Sequence, residues 1–275
     1  MSASVLPLHV ETAGLDPGEG VETFLLIHGY GASTFTWRHW APRLATRGHV
    51  VQIDMKGHGR APKPDDARYA PRDQAELVRA LIEQRDLRNL TLVGHSLGGG
   101  VALLTALGLL DAGTPRLERM VLVAGAAYAQ ALPPFVGLAG YPRLCSMMFR
   151  ALGPELVVRT VLRAIVHDRA TIDAEQVRGY AGPLGSAPAV HALVASARQI
   201  VPPDLGELTA RYPELDTPTL LLWGRHDRVV PLSVGERLAR ALPNVRLHVL
   251  ERCGHLPPEE LPDDSFAIVE RFLDG

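Results

Sequence analysis

Cysteine, lysine, aromatic residues and long apolar runs are all scarce in this chain of 275 residues. Two cysteines, Cys145 and Cys253, are too few for a disulfide framework, and their spacing fits no zinc site. Lysine occurs only at Lys56 and Lys63, so arginine carries nearly all the positive charge. Guanidinium groups suit phosphate or carboxylate recognition. Here, however, the arginines are scattered among acids with no block of like charge, the pattern of compositional bias in an Ala-, Arg- and Pro-rich chain. A balance of 28 Lys+Arg against 30 Asp+Glu gives no electrostatic reason to expect nucleic acid or an anionic membrane as partner. No uncharged apolar run approaches the roughly 20 residues of a membrane span. The opening stretch MSASVLPLHVETAG lacks the basic start and apolar core of a secretory leader. The expectation is a soluble, cytoplasmic globular protein, long enough to bury its core without a disulfide or metal staple.

What is present is an alternation of short apolar runs and amphipathic stretches. Thr23 to Ile27 (TFLLI), His49 to Ile53, Leu90 to Val93, Met120 to Val123, Thr219 to Trp223 and Val245 to Leu250 read as strands. Helices are expected over Thr36 to Thr46, Arg72 to Leu87, from Ser96 to about Leu110, near Leu232 to Leu242, and over Ser265 to Leu273. Strands separated by helix-length connections imply an α/β protein with a mostly parallel, doubly wound sheet. Burial on both faces explains why these strands are solidly apolar rather than alternating. Residues 129–218 differ: they hold ten of the 22 prolines and no convincing strand. Helices are expected there over Pro154 to Arg169 and Ser186 to Gln199, the second capped by Ser186 with Pro188 in its first turn. A helical insertion between two strands predicts a cap or lid (129–218) over a core made of 1–128 and 219–275.

The chemistry centres on Leu90 to Gly100, LTLVGHSLGGG, a strand, then Gly94-His95-Ser96-Leu97-Gly98, then a helix. This is G-x-S-x-G in the strand–turn–helix context of a nucleophile elbow. The turn is so sharp that flanking side chains would collide, which requires the glycines. With 26 glycines in the chain, a chance match is expected roughly 0.08 times. A serine hydroxyl needs a base to take its proton and a carboxylate to orient that base. Three histidines follow the helical segment. His248 lies inside a strand and His226 adjoins the acid candidate, whereas His255, in Cys253-Gly254-His255-Leu256-Pro257, follows the last strand and can swing over Ser96. Asp227, three residues past Gly224 at the end of TLLLW, is the acid candidate; otherwise it is a surface aspartate paired with Arg225 or Arg228. The competing position, after the strand ending near Ala124, carries no carboxylate in AGAAYAQAL. Two backbone N–H donors for an oxyanion are expected from Leu97 and, in His28-Gly29-Tyr30-Gly31, from Tyr30. His28 and His58 read as residues that fix their loops through hydrogen bonds.

HGYGAST, DMKGHGRAPKP, GHSLGGG, LLLWGRHDRVVP and CGHLPPEELP together resemble the α/β-hydrolase superfamily, in its capped esterase, lipase and C–C hydrolase branches, over residues 24 to 260. The resemblance implies an α/β-hydrolase fold, a Ser96–Asp227–His255 triad and an oxyanion hole at Tyr30 and Leu97. Capped epoxide hydrolases and haloalkane dehalogenases carry aspartate at the elbow, where this chain has Ser96. The meta-cleavage C–C hydrolases commonly have tryptophan after the catalytic histidine and an arginine on the cap. Here Leu256 follows His255, although Arg159 or Arg163 could supply the arginine. Perhydrolases share the triad, and some family members are small-molecule receptors. No G-x-G-x-x-G follows a strand, and no P-loop or H-E-x-x-H is present. The expectation is therefore cofactor- and metal-free hydrolysis of a small-molecule carboxylic ester of small to medium acyl chain by a monomer or homodimer.

Overall fold

A computed structural model describes residues 5–66 and 68–275, so the first four residues of the stretch read for a leader lie outside the described residues. Among the described residues, seven strands form one sheet in the order β1-β3-β2-β4-β5-β6-β7. They are β1 (His9–Gly14), β2 (Thr23–Ile27), β3 (His49–Asp54), β4 (Leu90–His95), β5 (Leu117–Val123), β6 (Thr219–Gly224) and β7 (Val245–Leu250). All pair in parallel except β1, which runs antiparallel to β3. The inner strands β2, β4 and β6 are buried at every position, as their unbroken apolar sequences require. At the edge, VRLHVL of β7 alternates half-buried and exposed residues.

Helices cover both faces. One side packs Trp37, Trp40 and Leu44, from the loop and helix α1 (Ala41–Ala45), against Phe24, Leu26 and Val50 of the sheet and Phe266 of the C-terminal helix. The other side carries α2 (Pro71–Gln84) and α3 (Leu97–Asp111), whose Val78, Ile82, Val101 and Leu107 meet Leu25, Val51 and Leu92. Between β5 and β6 the described chain is all helix and turn: α4 (Pro134–Ala139), α5 (Pro142–Ile165), α6 (Ala174–Ala181), α7 (Ala187–Gln199) and α8 (Leu205–Ala210). After β6 come α9 (Leu232–Ala241), α10 (Pro257–Glu260) and α11 (Pro262–Leu273).

Four local features differ from the sequence expectation. The strand β1 went unread because HVETAG is polar and only half-buried, as suits an edge paired on one side. The helix expected over Thr36 to Thr46 splits into a 3-10 turn, Thr34–Trp37, and α1. The Ser33 hydroxyl accepts the Phe35 N–H and fixes the tight turn, and Pro42, lacking an N–H, opens a new helix instead of continuing one. Helix α5 starts earlier than expected and is broken at Gly153 (φ 75°, ψ 156°), after which Pro154 begins the second half. It also ends earlier, at Ile165, because Val166 turns extended and the backbone of Ile165 to His167 packs against Gly254. The expected cap of α7 is present: the Ser186 hydroxyl accepts the Ala189 N–H at 3.3 Å.

Gly224, where β6 ends beneath the loop that carries His255, has no room for a side chain. An added Cβ would lie 2.0 Å from the Gly254 carbonyl oxygen and 2.5 Å from that of Cys253. Since both neighbours are backbone, Gly224→Ala is expected to destabilise the fold by about 3 kcal/mol, read as a drop in the denaturant midpoint at unchanged m-value.

Candidate active site

The elbow places Ser96 between β4 and α3 at φ 53°, ψ −118°, a left-handed conformation that costs a non-glycine residue about 1–2 kcal/mol. The surroundings hold it there. The Ser96 N–H donates to the Val123 carbonyl at 2.9 Å, and its own carbonyl accepts from Gly99 (2.9 Å), Gly100 (3.3 Å) and Ala126 (2.9 Å). The flanking glycines are required by contact: a Cβ on Gly94 would stand 2.5 Å from the Gly98 oxygen, and one on Gly98 2.2 Å from the Ile27 oxygen.

His255 follows β7 and α10 follows His255, so its ring reaches back over the sheet edge to Ser96. Its Nε2 lies 2.9 Å from Ser96 Oγ and its Nδ1 2.8 Å from Asp227 Oδ2. With Nδ1–H donating to the carboxylate, Nε2 is left unprotonated to accept the serine hydroxyl. Asp227 is buried, and its other oxygen accepts the N–H groups of Val229 (2.8 Å) and Val230 (2.9 Å). It does not pair with the neighbouring arginines; Arg225 instead bonds Glu251. The other two histidines stay apart: His226 stacks on His167 with ring centroids 4.3 Å apart, and His248 is exposed on β7.

Tyr30 and Leu97 lie in the loop after β2 and at the first position of α3, and both line the same cavity as Ser96. Neither backbone N–H has a protein partner among the described residues. Gly29 lets the loop approach, since a Cβ there would be 3.1 Å from that of Ser96. His28 fixes the loop: Nδ1–H donates to the Gly29 oxygen at 2.7 Å and Nε2 accepts the Met55 N–H at 3.0 Å. His58 donates to the Lys56 oxygen. Burial pushes the pKa of His28 down to about 4 and that of His58 to about 3, so both rings are neutral.

Two further residues hold the site and were not singled out from sequence. His95 donates from Nε2 to the His255 carbonyl at 2.9 Å, its ring 4.9 Å from that of His255, and burial lowers its pKa to about 3. Glu260 is a buried carboxylate with no cationic partner among the described residues. It accepts the N–H groups of Gly254 and Leu256, each at 3.0 Å, and of His167 at 2.6 Å. It thus ties the His255 loop to the end of α5, as does the His255 N–H to Ile165 oxygen bond at 2.9 Å. Neighbouring Glu259 receives Arg38, Tyr180 and Gln176. The clue to both was the glutamate pair in CGHLPPEELP, carried on the four-residue helix α10 and buried despite its charge.

The site opens into a cavity of about 210 Å³. Helical-segment residues such as Phe135, Met148, Phe149, Val157, Leu162 and Leu193 form much of its wall. Among the described residues no Asp, Glu, Lys or Arg lines it. Neither Arg159 nor Arg163, the arginines considered from sequence, reaches it. No group of three or more potential metal ligands occurs among the described residues.

Comparison with known proteins bears on the family and the fold. The alpha/beta hydrolase fold family matches residues 22–262, and the chain belongs to that family. It is 31% identical over 247 residues to an uncharacterized hydrolase, YugF, of Bacillus subtilis, covering 89% of this chain and 87% of the relative. It is 30% identical to 2-hydroxy-6-oxononadienedioate/2-hydroxy-6-oxononatrienedioate hydrolase 2 of Pseudomonas putida, covering 94% of this chain and 90% of that one. Among solved structures, an alpha/beta hydrolase fold protein from Burkholderia ambifaria superposes with a TM-score of 0.81 at 27% identity, over 98% of this chain and 94% of that chain.

Two outcomes follow from these contacts. Glu260→Ala strands the buried N–H groups of Gly254 and Leu256 and frees that of His167, and is expected to cost on the order of 3 kcal/mol of unfolding free energy, read by chemical denaturation. His28, His58 and His95 bind fewer protons folded than unfolded, so stability is full above the unfolded pKa near 6.5. It declines as pH falls from there towards 4 and 3. Unfolding free energies measured from pH 7 to pH 4 should show proton uptake on unfolding; a flat profile would contradict it.

Proposed function

We propose that the chain is a serine carboxylesterase acting on uncharged esters of small to medium acyl chain through an acyl-enzyme. The observation that carries this is the hydrogen-bonded line Ser96–His255–Asp227, at 2.9 and 2.8 Å, opening on a cavity with no Asp, Glu, Lys or Arg side chain in its lining among the described residues. Ser96 Oγ attacks the acyl carbon as its proton passes to His255 Nε2. Asp227 holds the imidazole in the tautomer with Nδ1–H and stabilises the imidazolium that forms. The N–H groups of Tyr30 and Leu97 receive the oxyanion. The ester C–O bond then breaks and His255 returns the proton to the departing alcohol. Water attacks the acyl-serine, gives its proton to His255, and releases the acid and the free serine. Residues 129–218 act as the cap that shields the acyl group from water over a core of 1–128 and 219–275, and no step calls for a metal or cofactor.

The relative from Pseudomonas putida supports a second reading, hydrolysis of a C–C bond in a dicarboxylate such as its name denotes. A dianion taken out of water needs cationic partners. The cavity wall has none among the described residues, which favours a neutral ester.

Hydrolysis of p-nitrophenyl esters from acetate to palmitate tests the assignment. Wild type should peak at a short or medium chain, with Ser96→Ala lower by about a thousandfold or more. Asp227→Asn should lower kcat by about 10³ to 10⁴ with KM little changed, because the wrong tautomer is favoured. A folded protein that hydrolyses none of the esters but cleaves a 2-hydroxy-6-oxodienoate would replace the ester assignment with the C–C one.

A further inference from the structure

The outer face of the helical segment is apolar where a soluble surface should be polar. Along α5, Cys145 and Phe149 are buried, while Tyr141, Leu144, Met147, Leu152 and Leu156 are 47–67% exposed. Leu132 (41%) and Val201 (43%) are also exposed, and both belong to the cavity wall, so apolar surface reaches the cavity's rim. Helix α4 packs against both α5 and α7, joining these parts into one face. Exposed apolar surface concentrated in one region marks a binding face rather than ordinary scatter.

The charge on the same helix says what fits that face. Helix α5 carries Arg143, Arg150, Arg159 and Arg163 against one acid, Glu155. No Asp or Glu occurs between Glu118 and Glu155. None of the four arginines takes part in an ion pair among the described residues, so the local excess of positive charge is not offset within the helix. Exposed apolar side chains beside a local excess of guanidinium groups suit contact with an anionic lipid–water interface. The overall charge of −2 hides this local excess. No helix among the described residues is long and apolar enough to cross a membrane, so the contact is peripheral.

We propose that the outer face of α4 and α5 docks on an anionic lipid–water interface. Tyr141, Leu144, Met147 and Leu152 enter the headgroup boundary and Arg143 and Arg150 meet the lipid anions. Together with the ester-hydrolase reading, on which this last step rests, the substrate class becomes a lipid-soluble ester that enters past Leu132 and Val201.

Co-sedimentation of the full chain with vesicles of phosphatidylglycerol and phosphatidylcholine in equal parts, or of phosphatidylcholine alone, tests the docking directly. Wild type should pellet with the anionic vesicles and be released by high salt. Arg143→Gln and Arg150→Gln should each weaken binding about fivefold. Leu144→Asp/Met147→Asp should abolish it, with hydrolysis of a water-soluble short ester unchanged, since neither residue lines the cavity. Ser96→Ala should bind like wild type, which separates failure of docking from failure of the hydrolase assignment. Absence of pelleting, or pelleting indifferent to these variants, would overturn the proposal. So would a dimer in sedimentation velocity that Leu144→Asp/Met147→Asp converts to monomer without any vesicle binding, because the face would then be covered by a second copy.

Discussion

A Cβ on Gly98 would stand 2.2 Å from the carbonyl oxygen of Ile27 and 2.4 Å from that of His28, so the first turn of α3 and the end of β2 meet backbone to backbone. That contact is possible only because the turn between β4 and α3 is as sharp as it is, and the sharpness forces Ser96 to a positive φ. The strain is local, while the packing that maintains it is spread over the largest core cluster, from Leu25 and Leu92 to Val101 and Leu107. The same approach brings the Tyr30 loop and the start of α3 into the wall of one cavity beside the serine. A hydroxyl, two free N–H groups and the mouth of a cavity are thus consequences of one close helix–strand contact.

The helical segment is tied to this centre by specific bonds as well as by apolar packing. The Tyr30 hydroxyl donates to the Leu193 carbonyl on α7 at 3.0 Å, so the loop after β2 is tied to the segment. The Ile165 carbonyl receives the His255 N–H, and Glu260 gathers N–H groups from both sides of that junction. Glu259 does the same for α6, through Gln176 and Tyr180, with Arg38 of the core as its counter-ion. A buried carboxylate without a cation is tolerated only when N–H donors replace its hydration. Any large displacement of the end of α5 would therefore uncover Glu260 and loosen the loop that holds His255. Motion of the segment is better accommodated at Gly153, where α5 is already broken.

Much of this was legible in the sequence. TFLLI and TLLLWG could only be strands covered on both faces, and G-x-S-x-G between a strand and a helix fixed the position of Ser96. His255 stood out from His226 and His248 by its place after the last strand, Asp227 by chain order and by the lack of a carboxylate after β5, and the structure brings all three within hydrogen-bond distance. What escaped had no local pattern. The edge strand β1 is defined by its partner β3 rather than by its own residues. His95 sits inside the serine motif, but its bond is to a residue 160 positions away. Glu259 and Glu260 look like solvated charges on a short helix, and only the converging N–H groups of distant segments explain their burial. Contacts between remote segments have no periodicity, so tertiary structure alone discloses them.

The most direct measurement is the intact mass of the folded protein after exposure to an alkyl fluorophosphonate. Displacement of fluoride by Ser96 Oγ would leave one phosphonyl group per chain, and peptide mapping would locate it on Ser96. The adduct should be absent from Ser96→Ala and from protein unfolded in denaturant, because the reactivity belongs to the assembled His255 and Asp227 and not to serine itself. A folded wild-type chain that stays unmodified, or one modified equally when Ser96 is replaced, would contradict a serine nucleophile at the elbow.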